Sequence, residues 1–130
     1  MTEKGAMRTP LSRVRGLGSA KSGAEHFWLQ RVTALANLIL VVILLFVFVS
    51  LAGADYATVK ATLSQPLIAV PLLLLVISGV YHMRLGMQVI IEDYVTNEGL
   101  KVVGLVFNTF FAIFVGLICV FAVLKLSLGA

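Results

Sequence analysis

Three long apolar runs decide most of what this chain can become. They cover Val32 to about Ala52, Leu67 to about Ile91 and Val102 to about Leu124, and each meets the requirement of roughly 20 mostly apolar residues for one bilayer crossing. A helix satisfies all of its backbone groups internally, as hydrocarbon demands, so each run is expected to be a transmembrane helix. The segments between them, residues 53–66 and 92–101, are short, so neighbouring helices should run antiparallel and pack as one small bundle. The composition points the same way: 130 residues, 60% hydrophobic and only 12% charged, are too apolar for a soluble domain of this size. The expected fold class is an all-α membrane protein without internal repeats. A basic tail over residues 1–27 precedes a three-helix transmembrane domain over residues 28–130.

Charge sets the expected orientation. Lys4, Arg8, Arg13, Arg15, Lys21 and Arg31 precede or open the first run, against Lys60 alone in the first loop. Cytoplasmic flanks hold the excess of Lys and Arg, so the N-terminus should be cytoplasmic. Three crossings then put the turn from Glu92 to Lys101 on the cytoplasmic side and Lys125 on the far side. The tail is Gly- and Ser-rich without interleaved aromatics, which favours lipid head groups or a protein partner over nucleic acid. A basic start, an apolar run and Ala52-Gly53-Ala54 together resemble a cleavable signal peptide. The run is near 20 residues, however, longer than the roughly 7–15 of a secretory core, so the first helix is expected to stay. The lone Cys119, inside the third run, has no intrachain disulfide partner and reads as a small packing residue.

The stretch "YHMRLGMQVIIEDYV", residues 81 to 95, keeps a histidine inside the second run. If that helix ends near Tyr94, twelve residues at about 1.5 Å each put His82 roughly 18 Å from its end, around the bilayer midplane. An ionisable group there is costly and faces a definite partner. At 100° per residue, Ser78, Gly79, Gly86, Val89 and Asp93 lie within about 60° of His82. That small-residue face either admits a neighbouring helix closely or makes room for a flat macrocycle. Two readings are open: a neutral histidine hydrogen-bonded to another helix, or an axial ligand to haem iron. Zinc and copper fit worse, because they need three or four convergent ligands and the chain has no suitable Cys/His cluster. His26 precedes the first run at the cytoplasmic surface, too shallow to be a second ligand, so a partner subunit would have to supply one.

The cytoplasmic end of the same helix carries Glu92, Asp93 and Tyr94, and Arg31 opens the first run on that side. One reading is an interfacial belt, with Tyr at head-group level and carboxylates ending the crossing. The other is a site for an amphipathic ligand with a polar head and an apolar tail, the shape of a quinone. Tyr94 offers a donor to a quinone carbonyl, and Asp93, water and Arg31 offer a proton relay.

His82, ten intervening residues, then Asp93-Tyr94, with Gly86-Met87 and Gln88-Val89 between, resembles the second helix of the succinate dehydrogenase hydrophobic membrane anchor subunits, the smaller of two cytochrome b anchors. "EHFWLQRVTA", residues 25 to 34, is similar to that family's entry into its first helix. The resemblance spans nearly the whole chain, and the His…Asp-Tyr spacing is its most specific part.

The resemblance implies a place in a four-subunit succinate:ubiquinone oxidoreductase of the bacterial inner membrane. A flavoprotein subunit with FAD oxidises succinate, an iron–sulfur subunit passes electrons on, and this chain and a second cytochrome b anchor share haem b and bind ubiquinone. By the match, His82 is an axial haem ligand, Tyr94 contacts the quinone head group, Asp93 sits beside it, and Arg31 lies near the haem propionates and quinone pocket. The order Glu25-His26 departs from members with histidine at the first of these positions, so a propionate contact by His26 does not carry over. Arg84 is a second departure: about 200° from His82, it is expected to pair with a carboxylate or carbonyl of a neighbouring subunit. The anchor of a fumarate reductase shares the architecture. A non-catalytic membrane interaction or assembly protein is the rival from a different class.

Overall fold

The structure is a computed structural model that describes residues 9–15 and 23–129, without the side chains of residues 12 and 13. The basic-tail residues Lys4, Arg8 and Lys21 and the Arg13 side chain lie outside the described residues. The rest is helical: α1 (Pro10–Arg15), α2 (Gly23–Ser50), α3 (Tyr56–Leu63), α4 (Pro66–Tyr94) and α5 (Glu98–Leu128), with no strand among the described residues. α2, α4 and α5 are the three expected spans, each long and apolar enough to cross a bilayer.

The helices overrun the apolar runs at most of their ends, because hydropathy marks the lipid boundary while capping marks the end of a helix. α2 starts at Gly23, not near Val32, which takes His26 into its first turn. The expectation that His26 precedes the helix is thereby corrected. Asn97 caps α5 by accepting a hydrogen bond from the Leu100 N–H (3.0 Å), and Gly129 closes it with φ 73°, a left-handed conformation that glycine adopts without penalty. α4 opens on Pro66, whose missing N–H costs nothing in a first turn. In the loop between α2 and α4, Asp55 caps α3 by accepting from the Thr58 N–H (3.3 Å). Ser64 then donates to the Leu126 carbonyl (2.9 Å), tying this loop to the end of α5.

Antiparallel neighbours follow as expected, but the bundle does not close. α4 packs against both α2 and α5, α3 touches α4 and α5, and α2 and α5 make no close backbone contact with each other. The three spans form a row with α4 in the middle. Glycines set the close approaches: a Cβ on Gly86 would meet Gln30 of α2 at 3.4 Å, and one on Gly104 or Gly116 would meet Ile91 or Val80 of α4 at 3.2 or 3.4 Å. A row buries little. Leu44, Ala69, Leu85, Ala112 and Val123 are its buried apolar side chains, joined by Asn108, while apolar residues such as Phe46, Phe107 and Phe121 stand open on the outside. Cys119 is a half-buried free thiol in α5.

Candidate functional site

α4 ends at Tyr94, so His82 does stand roughly 18 Å along the helix from that end. Its ring meets α2: Nδ1 lies 3.0 Å from Thr33 Oγ1. The Thr33 hydroxyl also lies 2.7 Å from the Leu29 carbonyl and 3.2 Å from that of Gln30, the usual back-bonding of a helical threonine. A hydroxyl has one proton, and the shortest of these contacts takes it to Leu29. With that proton on Leu29, Thr33 Oγ1 can accept from His82, which corresponds to the tautomer with the proton on Nδ1 and a lone pair on Nε2. Nε2 has no hydrogen bond of its own and is not fully enclosed in the half-buried His82 side chain. One turn along α4, the Ser78 hydroxyl approaches the Thr33 carbonyl at 3.5 Å.

The small-residue face around His82 divides. Ser78, His82 and Gly86 turn to α2 of the same chain, whereas a Cβ on Gly79 would meet nothing within 4 Å. Both readings of that face therefore have a place: a neighbouring helix fills one part, and the other stays open.

α2 answers α4 with a polar stripe. His26, Gln30, Thr33 and Asn37 follow helical spacing, and His26 Nε2, Gln30 Oε1 and Asn37 Oδ1 are buried with no hydrogen-bond partner. Thr33 lies opposite His82, so His26 sits about 10 Å away along α2 at 1.5 Å per residue. The sequence reading gave Gln30, Thr33 and Asn37 no role. The signal that would have found them is their own period of three to four in an otherwise apolar helix.

At the far end of α4 the expected group is not joined. Glu92 accepts from Gln88 Nε2 (2.8 Å), while Asp93 and Tyr94 are exposed, Tyr94 at 81%. Arg31 is exposed and lies over the Phe27 ring, 4.9 Å from its centroid. Among the described residues no hydrogen bond or ion pair connects Arg31 with Asp93 or Tyr94. Within the chain, Arg84 Nε donates to Thr109 Oγ1 of α5 (3.4 Å), and the Arg84 backbone carbonyl accepts from Asn108 Nδ2 (2.9 Å). It borders an apolar groove of about 470 Å³ between α4 and α5.

Comparison with known proteins adds a family. Residues 5–124 match the family described as succinate dehydrogenase/fumarate reductase transmembrane subunit. The chain is similar to the succinate dehydrogenase hydrophobic membrane anchor subunit of Rickettsia bellii, 37% identical over 94 residues, 72% of this chain and 75% of the relative. It is similar to the subunit of the same name from Paracoccus denitrificans, 30% identical over 122 residues, 94% of each chain. The succinate dehydrogenase membrane anchor subunit of Reclinomonas americana is 34% identical over 88 residues, 65% of this chain and 73% of the relative. No solved structure matches.

Proposed function

The chain belongs to the succinate dehydrogenase/fumarate reductase transmembrane subunit family, and from that premise we propose that it is the smaller membrane anchor of a succinate:ubiquinone oxidoreductase. It is a multi-pass membrane protein. In this reading it lies in the bacterial inner membrane with its N-terminus in the cytoplasm and packs against a second cytochrome b anchor. A flavoprotein and an iron–sulfur subunit, which carry the FAD and the clusters, dock on the cytoplasmic face. The family includes fumarate reductase subunits, but the curated relatives carry the name succinate dehydrogenase.

The observation that carries the haem assignment is the state of His82. A polar nitrogen near the middle of a membrane helix is costly unless something meets it, and a contact from Nδ1 to Thr33 supports a tautomer whose Nε2 has a free lone pair. The residues fit haem b: an imidazole donor, the open space beside Gly79, and buried unpartnered polar atoms along the seam. His82, together with a histidine of the second anchor, would hold the iron. Haem b, when bound, would supply a one-electron redox centre. This chain's own part in quinone reduction lies at the cytoplasmic end. The Tyr94 hydroxyl donates to a quinone carbonyl, and Asp93 with Arg31 binds water there and holds the protons that two-electron reduction consumes.

The test is a reduced-minus-oxidised spectrum of the complex purified through its iron–sulfur subunit, from wild type and from His82→Ala. The expected wild-type result is a low-spin b-type band copurifying with this chain, and the expected variant result is an assembled complex that has lost it. An unchanged low-spin haem in His82→Ala would sink the ligand assignment. A colourless, stably monomeric chain that does not copurify with the iron–sulfur subunit would favour the non-catalytic reading.

A further inference from the structure

We infer that Thr33 is a positioning residue for the haem: its hydroxyl accepts the Nδ1 proton of His82 and so fixes which ring nitrogen faces the iron and how strongly it donates. The inference rests on the reading of His82 as a haem ligand and goes beyond it to a residue of a different helix.

The geometry favours one set of roles. Thr33 Oγ1 is 2.7 Å from the Leu29 carbonyl, 3.2 Å from the Gln30 carbonyl and 3.0 Å from His82 Nδ1. Carbonyl oxygens only accept, Nδ1 donates or accepts according to its tautomer, and the shorter contact to Leu29 favours the arrangement in which the hydroxyl proton goes to the backbone and the lone pairs turn to the imidazole. A metal-bound imidazole must present an unprotonated nitrogen, and its other N–H is normally held by an oxygen that sets the ring's orientation and raises its basicity. Thr33 is the group that meets this requirement in the chain, and α2 holds it rigidly. The hydroxyl is tied to the preceding turn, its side chain is stiff at χ1, and the Ser78 hydroxyl approaches its carbonyl at 3.5 Å from the helix that carries His82. The contact also spans the α2–α4 seam, so the relative setting of two helices is read out at the iron.

The chemistry predicts a direction. A more basic imidazole stabilises ferric over ferrous iron, so removing the acceptor raises the midpoint potential of the haem and weakens the iron–nitrogen bond. Loss of such a partner typically lowers metal affinity about 10- to 100-fold. The experiment uses the whole complex with Thr33→Val, which keeps the side-chain volume, and Thr33→Ser, which keeps the hydroxyl. Haem content, midpoint potential and carbon monoxide uptake by the reduced haem are measured on each.

The expected result for Thr33→Val is haem at wild-type content with a raised potential and about a tenfold larger share of carbon monoxide-reactive haem. Thr33→Ser is expected to match wild type in both. A Thr33→Val complex with wild-type potential and no carbon monoxide uptake overturns the inference while leaving the ligand assignment intact. Equal shifts in the two variants overturn it, because Thr33→Ser keeps the hydroxyl and a shift there cannot come from the hydroxyl's loss. A Thr33→Val complex that does not assemble also overturns it, because the residue is then structural; an assembled complex short of haem, with Thr33→Ser filled, supports it as a larger weakening of the same bond. The separate His82→Ala complex tells the two readings apart: if its haem is unchanged, the ligand assignment itself has failed and Thr33 has nothing to position.

Discussion

A histidine in hydrocarbon was conspicuous from its depth alone, and the twelve residues between His82 and Tyr94 gave that depth because α4 runs unbroken to Tyr94. Its partner was not conspicuous. Thr33 reads as an ordinary helical threonine, since a hydroxyl bonded to its own helix carries no pattern that announces a second contact; only the α2–α4 crossing brings it to His82. The groups at the Tyr94 end of α4 were legible as types and positions, but their separation was not, because exposed side chains adopt no fixed contact without a ligand. Tyr94 is the sharpest test there. Tyr94→Phe keeps the ring and deletes the donor, so quinone binding should weaken by roughly the 0.5–1.5 kcal/mol of one net hydrogen bond, or about 2- to 10-fold in apparent Michaelis constant. Turnover falls further if the hydroxyl also stabilises charge developing on the carbonyl oxygen. Succinate oxidation with a soluble acceptor should persist in the same membranes. Wild-type quinone kinetics in both Tyr94→Phe and Asp93→Asn would reduce the pair to an interfacial anchor.

Helices follow from apolar length; their ends and their small companions do not. α3 sits in a segment too polar to be a span, and it forms because Asp55 caps it and the loop ties back to α5 through Ser64. The Thr58 hydroxyl, and then its backbone N–H, hold the Asp55 carboxyl below its ordinary 3.8. A folded-state pKa that is depressed means the cap's contribution is complete above pH 3.8 and is lost as pH falls through the folded value beneath it. Amide exchange at Thr58 should therefore be flat from neutral pH down to about that point, after correction for intrinsic rates, and speed up below it. Asp55→Asn keeps a capping oxygen and should remove the dependence. Within α4, Gly79 separates the chain's needs from those of its surroundings. A side chain there meets nothing in this chain, so Gly79→Leu should leave membrane insertion unaffected. If a macrocycle or a partner helix occupies that space, the same change should lower the haem content of the assembled complex. Equal haem in Gly79→Leu and wild type would mean that the open face near His82 is merely lipid-facing. Gly104→Val makes the opposite case: its Cβ would sit 3.2 Å from Ile91 Cγ2, and overpacking of about 1–3 kcal/mol should loosen α5 from α4 before any cofactor is involved.

Taken whole, a row of three helices is an incomplete object. Its buried apolar side chains are few, and α2 and α5 stay apart, so both broad faces need covering. Exposed Leu, Val and Phe do not say what covers them, because lipid tails are as apolar as those side chains. Polar atoms do say. The Nε2 of His82 lies near mid-membrane, where lipid offers no partner, so the face that bears it belongs against protein or cofactor. The chain has two histidines, and His26 stands about 10 Å along α2 from the level of His82, too far for both to reach one iron. A bis-histidine haem would therefore need its second histidine from outside the chain. Produced in membranes without its partners, the chain should insert with three spans but give no low-spin b-type band; adding only the second anchor should restore that band without the flavoprotein. The paired spectra, taken at matched levels of this chain, decide it. A full low-spin band from the chain alone would show that two copies suffice, and the shared-haem architecture would give way to a homodimer in which His82 faces His82.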